Sequence, residues 1–392
     1  MPRSVLLNAK GMEVSTQIIR DRDWLDANQA EIDELLTSSD FENFYFSGPW
    51  VRCWLKRQEP TAKVIIVEAR SRSNKLVGFW PFVERPGLLG TKGLWPFVYD
   101  EANYFHPVCM KSAAVPLLNA LENLLGEFLF CWIPLFKDSF WHTCFAEKIA
   151  QSRFLHIHRT PRSSSFISKD KGASFDDYLF SRVGTKTRKS LRYDQKALAQ
   201  KGDVRFETFR CFEKVRAAMP ATCMVEVESW KSSQGAGLYT ARGKRGFFFE
   251  LLPELAKEGR VWLSILRVDE VPIAWQIELV GKHSVGLHHL AYDERWKKYS
   301  PGKQLLHHRL HELWDSGKVV DFLPGHLDYK EKLATSEEPV HEIHWFRKTL
   351  RGFLARRLIL GNIKVRRKIR QKAKETKAKR TMMSILEDKK QA

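Results

Sequence analysis

The apolar positions of this chain change their period between residues 259 and 323. Residues 261–266 and 272–279 are compact apolar runs joined by a Val-Asp-Glu turn, and 283–291 is a third, which predicts three successive strands. Leu305, Leu306, Leu310 and Leu313 then recur at helical spacing until Gly317 stops the helix. Residues 319–323 predict a short buried strand that carries one carboxylate, Asp321.

The first half repeats this order. Apolar runs at 64–67 and 77–80 flank a polar turn, as 261–266 and 273–275 do. Tyr99-Asp100-Glu101 leads to Tyr104 and Pro107 as Tyr292-Asp293-Glu294 leads to Tyr299 and Pro301, and a Leu-rich helix at 115–125 precedes a strand at 130–134. The pattern predicts an α/β chain of α+β layered type: two tandem units, each a mixed sheet flanked by helices, followed by a basic helical tail. Val108 stands in the first copy where Gly302 stands in the second. A β-branched side chain crowds a ligand-binding turn, so the first unit is expected to be degenerate and to supply only a wall of the site.

Pro and Ser cluster at 160–165, which predicts a linker and divides the chain into 1–162, 163–346 and a tail, 347–392. After the linker, Ser174 can cap a helix bearing Phe175, Tyr178 and Leu179. The next helix carries Lys186, Arg188, Lys189, Arg192 and Lys196, a run that is by default a solvated cationic face.

Candidate chemistry begins at Ser300-Pro301-Gly302-Lys303. Ser300 can cap, Pro301 suits the first helical position, and Gly302 lets backbone approach a ligand. Unpaired N–H groups and the macrodipole make such a helix start fit for phosphate. Hairpin, strand, Gly-loop, helix and strand in this order resemble the core of the GNAT acyltransferase fold. More narrowly, the chain resembles the GNAT-type family associated with cellulose and exopolysaccharide biosynthesis, itself similar to the Fem-type transferases that add amino acids to peptidoglycan. The matching pieces are residues 186–192, Glu228-Ser229-Trp230-Lys231, Pro272-Ile273-Ala274, Tyr299-Ser300-Pro301-Gly302 with Leu305-Leu306, and Asp321-Phe322 followed by Gly325 and Tyr329-Lys330. They cover residues 170–335. Leu333 departs from the pattern, since the family usually places an aromatic residue there.

The resemblance implies an N-acyltransferase that uses acetyl-CoA or another acyl-CoA as cosubstrate, needs no metal, and acylates an amine, or a hydroxyl, of a polysaccharide or cell-envelope precursor. Tyr299, Ser300, Gly302, Lys303 and Gln304 would then grip the donor. Glu228 is the candidate base. Asp321 is the alternative, or a structural anchor paired with Lys330 or Arg192, because a carboxylate in an apolar strand requires a partner. Tyr329 could protonate the departing thiolate, and Arg188, Arg192, Trp230, His289 and Lys330 are expected to meet substrate. With no G-x-S-x-G or Cys/His signature, direct attack on the thioester is expected. His307 and His311 form an i, i+4 pair without the carboxylate of HExxH, so they read as ordinary helix histidines. One of His288 and His289 should face the cleft if the strand alternates.

Composition narrows the setting. Six cysteines are scattered without a CxxC pair, which argues against a zinc ribbon or a disulfide framework and for a reducing compartment. No secretory pattern opens the sequence, and the longest apolar stretch, 128–136, is too short to span ~30 Å of hydrocarbon. A cytoplasmic protein, peripheral at the inner face of a membrane, is expected. The net charge is +19, and residues 347–380 contribute fifteen Lys or Arg against one acid. Leu350, Phe353, Leu354, Leu358, Ile359, Ile363 and Ile369 are interleaved with those cations. An anionic membrane surface or a protein partner therefore suits 347–380 better than RNA, for no RNP, KH or zinc-finger pattern accompanies it. Two rival functions stand beside the acyl-CoA enzyme. One is an aminoacyl-tRNA-dependent Fem-type transferase, which commonly carries a coiled-coil hairpin that this sequence lacks heptads to form. The other is a non-catalytic membrane-surface adaptor for polysaccharide assembly, against which the retention of Gly302, Glu228 and Asp321 speaks.

Overall fold

In the described residues, fourteen strands form one mixed sheet. The computed structural model describes residues 4–7, 13–57, 62–87, 90–97, 102–146, 148, 153–169, 172–241, 245–365 and 368. The strands are β1 (Ser4–Leu7), β2 (Glu13–Ile19), β3 (Lys63–Ser71), β4 (Leu76–Pro86), β5 (Lys92–Pro96), β6 (Val108–Cys109) and β7 (Phe130–Lys137). They continue as β8 (Leu155–Ile167), β9 (Val204–Phe209), β10 (Val261–Val268), β11 (Val271–Val280), β12 (Ser284–Tyr292), β13 (Val319–Asp321) and β14 (Ser336–Phe346). The principal helices are α1 (Gln29–Ser38), α2 (Gly48–Leu55), α3 (Lys111–Leu124), α4 (Phe175–Arg182), α5 (Thr185–Ala199), α6 (Phe212–Val227), α7 (Arg245–Lys257), α8 (Pro301–Trp314) and α9 (Asp328–Leu333), with a last helix over residues 350–365.

Strand order across the sheet is β1-β2-β3-β4-β5-β7-β14-β8-β13-β12-β11-β10-β9, with β6 on β4. The expected repeat is present in it. In β2-β3-β4-β5-β7 and in β9-β10-β11-β12-β13 the neighbours are antiparallel until the last pair, β5 with β7 and β12 with β13, which is parallel. A parallel pair needs a crossover, and α3 and α8 occupy the two crossovers. Val108, opposite Gly302 in the repeat, pairs with Phe79 in β6, so the first unit spends on a strand the residues that start a helix in the second.

The two units exchange their closing strands. β8, which follows the first unit, pairs with β13 of the second; β14, at the end of the second, pairs with β7 of the first; and β8 and β14 pair with each other. Residues 160–165 are therefore the middle of β8 and form no linker. The Pro/Ser composition misleads because β14 supplies a ladder partner to this stretch and β13 pairs with the two residues that follow it. Pro161, which has no N–H, falls where the register slips between Val340 and Glu342. The boundary at 162/163 lies inside one strand. Among the described residues the largest apolar cluster runs from Val14 to Trp345 and takes side chains from both halves.

On β11, Trp275, Ile277 and Leu279 face this core while Gln276 and Glu278 turn toward α8. Arg309 sits on the apolar face of α8, fully buried, and holds Glu278 with Nε–Oε1 and Nη2–Oε2 both at 2.8 Å. Thr208 Oγ1 accepts from its Nη1 at 3.0 Å, and Glu312 also contacts it. This network fixes α8, and hence its first turn, on the sheet. The last helix seats Ala355 against Leu129, Phe130, Ile157 and Phe346. Tyr99-Asp100-Glu101 and the tail expected over 369–392 lie outside the described residues.

Candidate active site

β12 parts from β13 almost as soon as they meet. Their parallel register covers only Ser284, Val285 and Gly286, after which β12 runs on to Tyr292 with β11 on one side and, among the described residues, no strand on the other. An irregularity in the β11 pairing, where His289 faces Ile277 but Leu287 faces Glu278, inserts His288 as an extra residue. Such a bulge interrupts the alternation of sides. Both histidines consequently lie on one face. His288 sits among Tyr45, Trp50 and Phe248, and His289 stacks on Trp275 at 5.3 Å.

Opposite His289 stands a lysine that a short turn, Trp230–Ser233, presents after α6. Lys231 Nζ lies 3.0 Å from His289 Nε2, and Glu226 Oε2 lies 3.9 Å from the same nitrogen. Glu226 is fully buried and accepts from the backbone N–H groups of Leu238, Tyr239 and Thr240 at 2.6–2.9 Å, which holds an ionised carboxylate in the interior. Burial pushes the Lys231 ammonium down to about 8; the charge of Lys330 adds to this and that of Glu226 opposes it. Lys330, from α9, is likewise pushed down to about 8, first by burial, and donates to the carbonyls of Phe322 and Leu323 at 2.7 and 3.1 Å. Two lysines that give up protons near neutral pH thus share one site.

The start of α8 borders the same gap. Ser300 has left-handed backbone angles, φ 51 and ψ 45, and its hydroxyl makes no cap bond. The amides of Lys303 and Gln304 turn back to the Ser300 carbonyl at 3.0 and 3.1 Å, and Pro301 has no N–H. Among the described residues the Gly302 N–H is left without an internal acceptor, with the exposed Lys303 side chain next to it. A Cβ on Gly302 would lie 3.0 Å from Leu290 and 3.1 Å from Tyr292, so glycine lets α8 come close to the open edge of β12.

Asp321 marks where the units meet. It accepts from Tyr104 Oη at 2.9 Å, Ser164 Oγ at 2.8 Å and the Leu323 N–H at 2.8 Å, and Lys137 Nζ is 3.6 Å away. Burial and the Asp321 charge raise the Tyr104 phenol well above its usual range, so it remains a donor. Beyond Ser163, a groove of about 660 Å³ is lined by Arg162, His326, Glu337 and Glu338 among others. Gly325 N–H bonds Ser163 O at 3.3 Å, and the charge of Arg162 is felt by Lys330, so this groove opens beside the lysine pair. In the described residues no group of three or more His, Cys, Asp or Glu side chains could hold a metal ion.

Residues 185–331, which contain the bulge, the gap and the helix start, match the family model described as acetyltransferase (GNAT) domain. This region is similar to a GNAT acetyltransferase domain. The whole fold is similar to solved structures of low identity. One is FemX, at 11% identity and a TM-score of 0.57 over 86% of this chain and 100% of that chain. Another is a conserved protein of unknown function from Bacteroides thetaiotaomicron, at 11% identity and a TM-score of 0.50 over 84% of this chain and 100% of the other. No curated protein sequence matches the chain.

Within the matched region the expected site residues fall into two groups. His289, Lys330 and Gly302 line the gap; Trp230 and Tyr329 flank Lys231 and Lys330 in sequence and are part-exposed, and burial of the Tyr329 hydroxyl pushes it up to about 12. The rest stand apart from that chemistry. Glu228 ends α6, exposed, with its nearest cation Arg295 at 3.9 Å. Asp321 takes Tyr104, Ser164 and Lys137 as partners where Lys330 or Arg192 was expected, since Lys330 is engaged by carbonyls and Arg192 is exposed on α5. Buried Gln304 donates to the Tyr299 carbonyl at 2.7 Å and so ties the turn together, and Tyr299 is buried beside Trp296. Arg188 stacks over Phe180 at 3.9 Å. Leu333 is buried in one cluster with Tyr178, whose hydroxyl donates to the Leu333 carbonyl at 2.6 Å. Sequence reasoning passed over Glu226, Lys231 and Arg309. Arg309 was detectable as a charge within an otherwise apolar helix face, whereas nothing local distinguishes Glu226 from Glu228.

Proposed function

We propose that the protein transfers an acyl group from an acyl-coenzyme A thioester to an amine. The observation that carries this reading is the parting of β12 from β13 beside the first turn of α8. An open strand edge offers N–H groups to a thioester carbonyl, and the Gly302 N–H with the nearby Lys303 suits a pyrophosphate. The donor supplies the activated carbonyl. The acceptor ammonium first releases one proton to solvent; Lys231, rather than the exposed Glu228, then takes the proton that the amine nitrogen loses as the C–N bond forms, and returns it to the thiolate that departs as the C–S bond breaks, whose basicity is close to its own. Glu226 and His289 hold Lys231 in position. Asp321 anchors the two units, and the acceptor enters along the groove past Arg162, which forms no ion pair among the described residues. An amine on a polysaccharide or envelope precursor agrees with the sequence resemblance.

Calorimetry with coenzyme A and acetyl-coenzyme A, followed by turnover on a panel of amino sugars, tests the reading. Gly302→Val should abolish the binding heat while far-ultraviolet circular dichroism is retained. No heat with either thiol or thioester would overturn the donor assignment.

A specific feature favours a second donor. The exposed rings of Phe180, in α4, and Tyr193, in α5, flank Lys186, Arg188, Lys189 and Arg192, an arrangement suited to stacking on bases and pairing with phosphates. Salt-sensitive retention of aminoacyl-tRNA, without any response to acetyl-coenzyme A, would select an aminoacyl-tRNA-dependent transferase.

A further inference from the structure

We propose that the helix over residues 350–365 docks the protein on an anionic membrane surface through its outward face. This inference stands apart from the transfer chemistry. The helix has two apolar sides, and the fold accounts for one of them. Ala355 is fully buried, Ile359 and Ile363 lie against the same cluster, and Arg356 Nε donates to the His156 carbonyl at 3.2 Å. Opposite are Leu350, Leu354, Leu358 and Val365, between 46% and 78% exposed. At 100° per residue these four fall within about 80° of arc, a continuous strip. Soluble surfaces tolerate scattered apolar residues, but an aligned row marks a surface that is covered in use.

What covers it follows from the charge. Arg351, Arg357 and Lys364 border the strip, none in an ion pair among the described residues, and residues 347–365 contain no acid. The sequence continues with Arg366, Arg367 and Lys368. A second copy of this helix would bring like charge against like. An acidic protein face would satisfy the cations and leave the leucines without a role. An anionic bilayer answers both, because phosphates lie at the height reached by long cationic side chains and the acyl boundary lies at the depth of the leucines.

The test is sedimentation of the full chain with vesicles of phosphatidylcholine containing phosphatidylglycerol, and with phosphatidylcholine alone, at physiological salt. Its comparison is a Leu354→Glu, Leu358→Glu double variant. The parent should sediment with the anionic vesicles only, and the variant should lose about tenfold or more of its partitioning with unchanged thermal unfolding, because both positions face solvent. Undiminished binding by the variant would overturn the assignment of this face, as would failure of the parent to bind anionic vesicles. So would a parent dimer, seen by light scattering, that the variant dissolves.

Discussion

Two lysines separated by 99 positions in sequence are both pushed down to about 8 because the fold buries both; the charge of Lys330 adds to the effect on Lys231, and that of Arg162 to the effect on Lys330. Their Cε resonances should titrate near 8 as a coupled pair; titration of both above 10 would remove the proposed base. The sign of the stability effect follows from the direction of the shift. A folded-state value below the ordinary one means that the unfolded chain binds more protons between about pH 8 and 10.5, so this pair makes the protein more stable as pH rises through that window. Glu226→Gln should move the Lys231 titration lower still, by about one unit, because the nearby negative charge now favours the ammonium; an unchanged midpoint would disconnect the two groups. At this scale the sequence revealed types more readily than partners. Gly302 and Lys330 were legible from their place in motifs, whereas strand alternation left the choice between His288 and His289 open. The choice between Glu226 and Glu228 depends on which of two residues near a helix end turns inward, and no periodic signal decides that.

Among the elements, α8 is held by a charge in its apolar stripe. Arg309→Met should destabilise the fold by about 3–5 kcal/mol, since Glu278 would remain buried without its cation; denaturant melts measure it, and a loss under 1 kcal/mol would show that water replaces the guanidinium. The strands were legible wherever apolar runs were long, as in β3, β4, β10 and β11. β8 was not. Its Thr-Pro-Arg-Ser-Ser-Ser stretch has loop composition, and only pairing with β14, from far along the chain, turns it into a strand. Cutting between residues 162 and 163 should therefore yield two insoluble pieces, each with half of β8 and a bare edge. Soluble, monomeric fragments with native near-ultraviolet dichroism would contradict the exchange of closing strands.

For the whole molecule, two truncations separate the tail's parts. Removing 366–392 should leave the melting temperature unchanged, whereas removing 349–392 should lower it by several degrees, because the second deletion uncovers Leu129, Phe130, Ile157 and Phe346. Equal melting temperatures would mean that the last helix adds nothing to the core. The tandem organisation was legible from the repeat, since hairpin, helix and strand recur in the same order. The shared core was not, because contacts between distant halves leave no local period. The exchange of β8 and β14 also constrains how the chain is made. A ribosome releases β7 long before residues 336–346, so the first unit waits, with a sheet edge open, until β14 has emerged. Halves that could each close alone would fold in order of synthesis. This protein instead completes its N-terminal sheet only once β14 has been made, which ties the quality of the first unit to the integrity of a strand encoded far downstream.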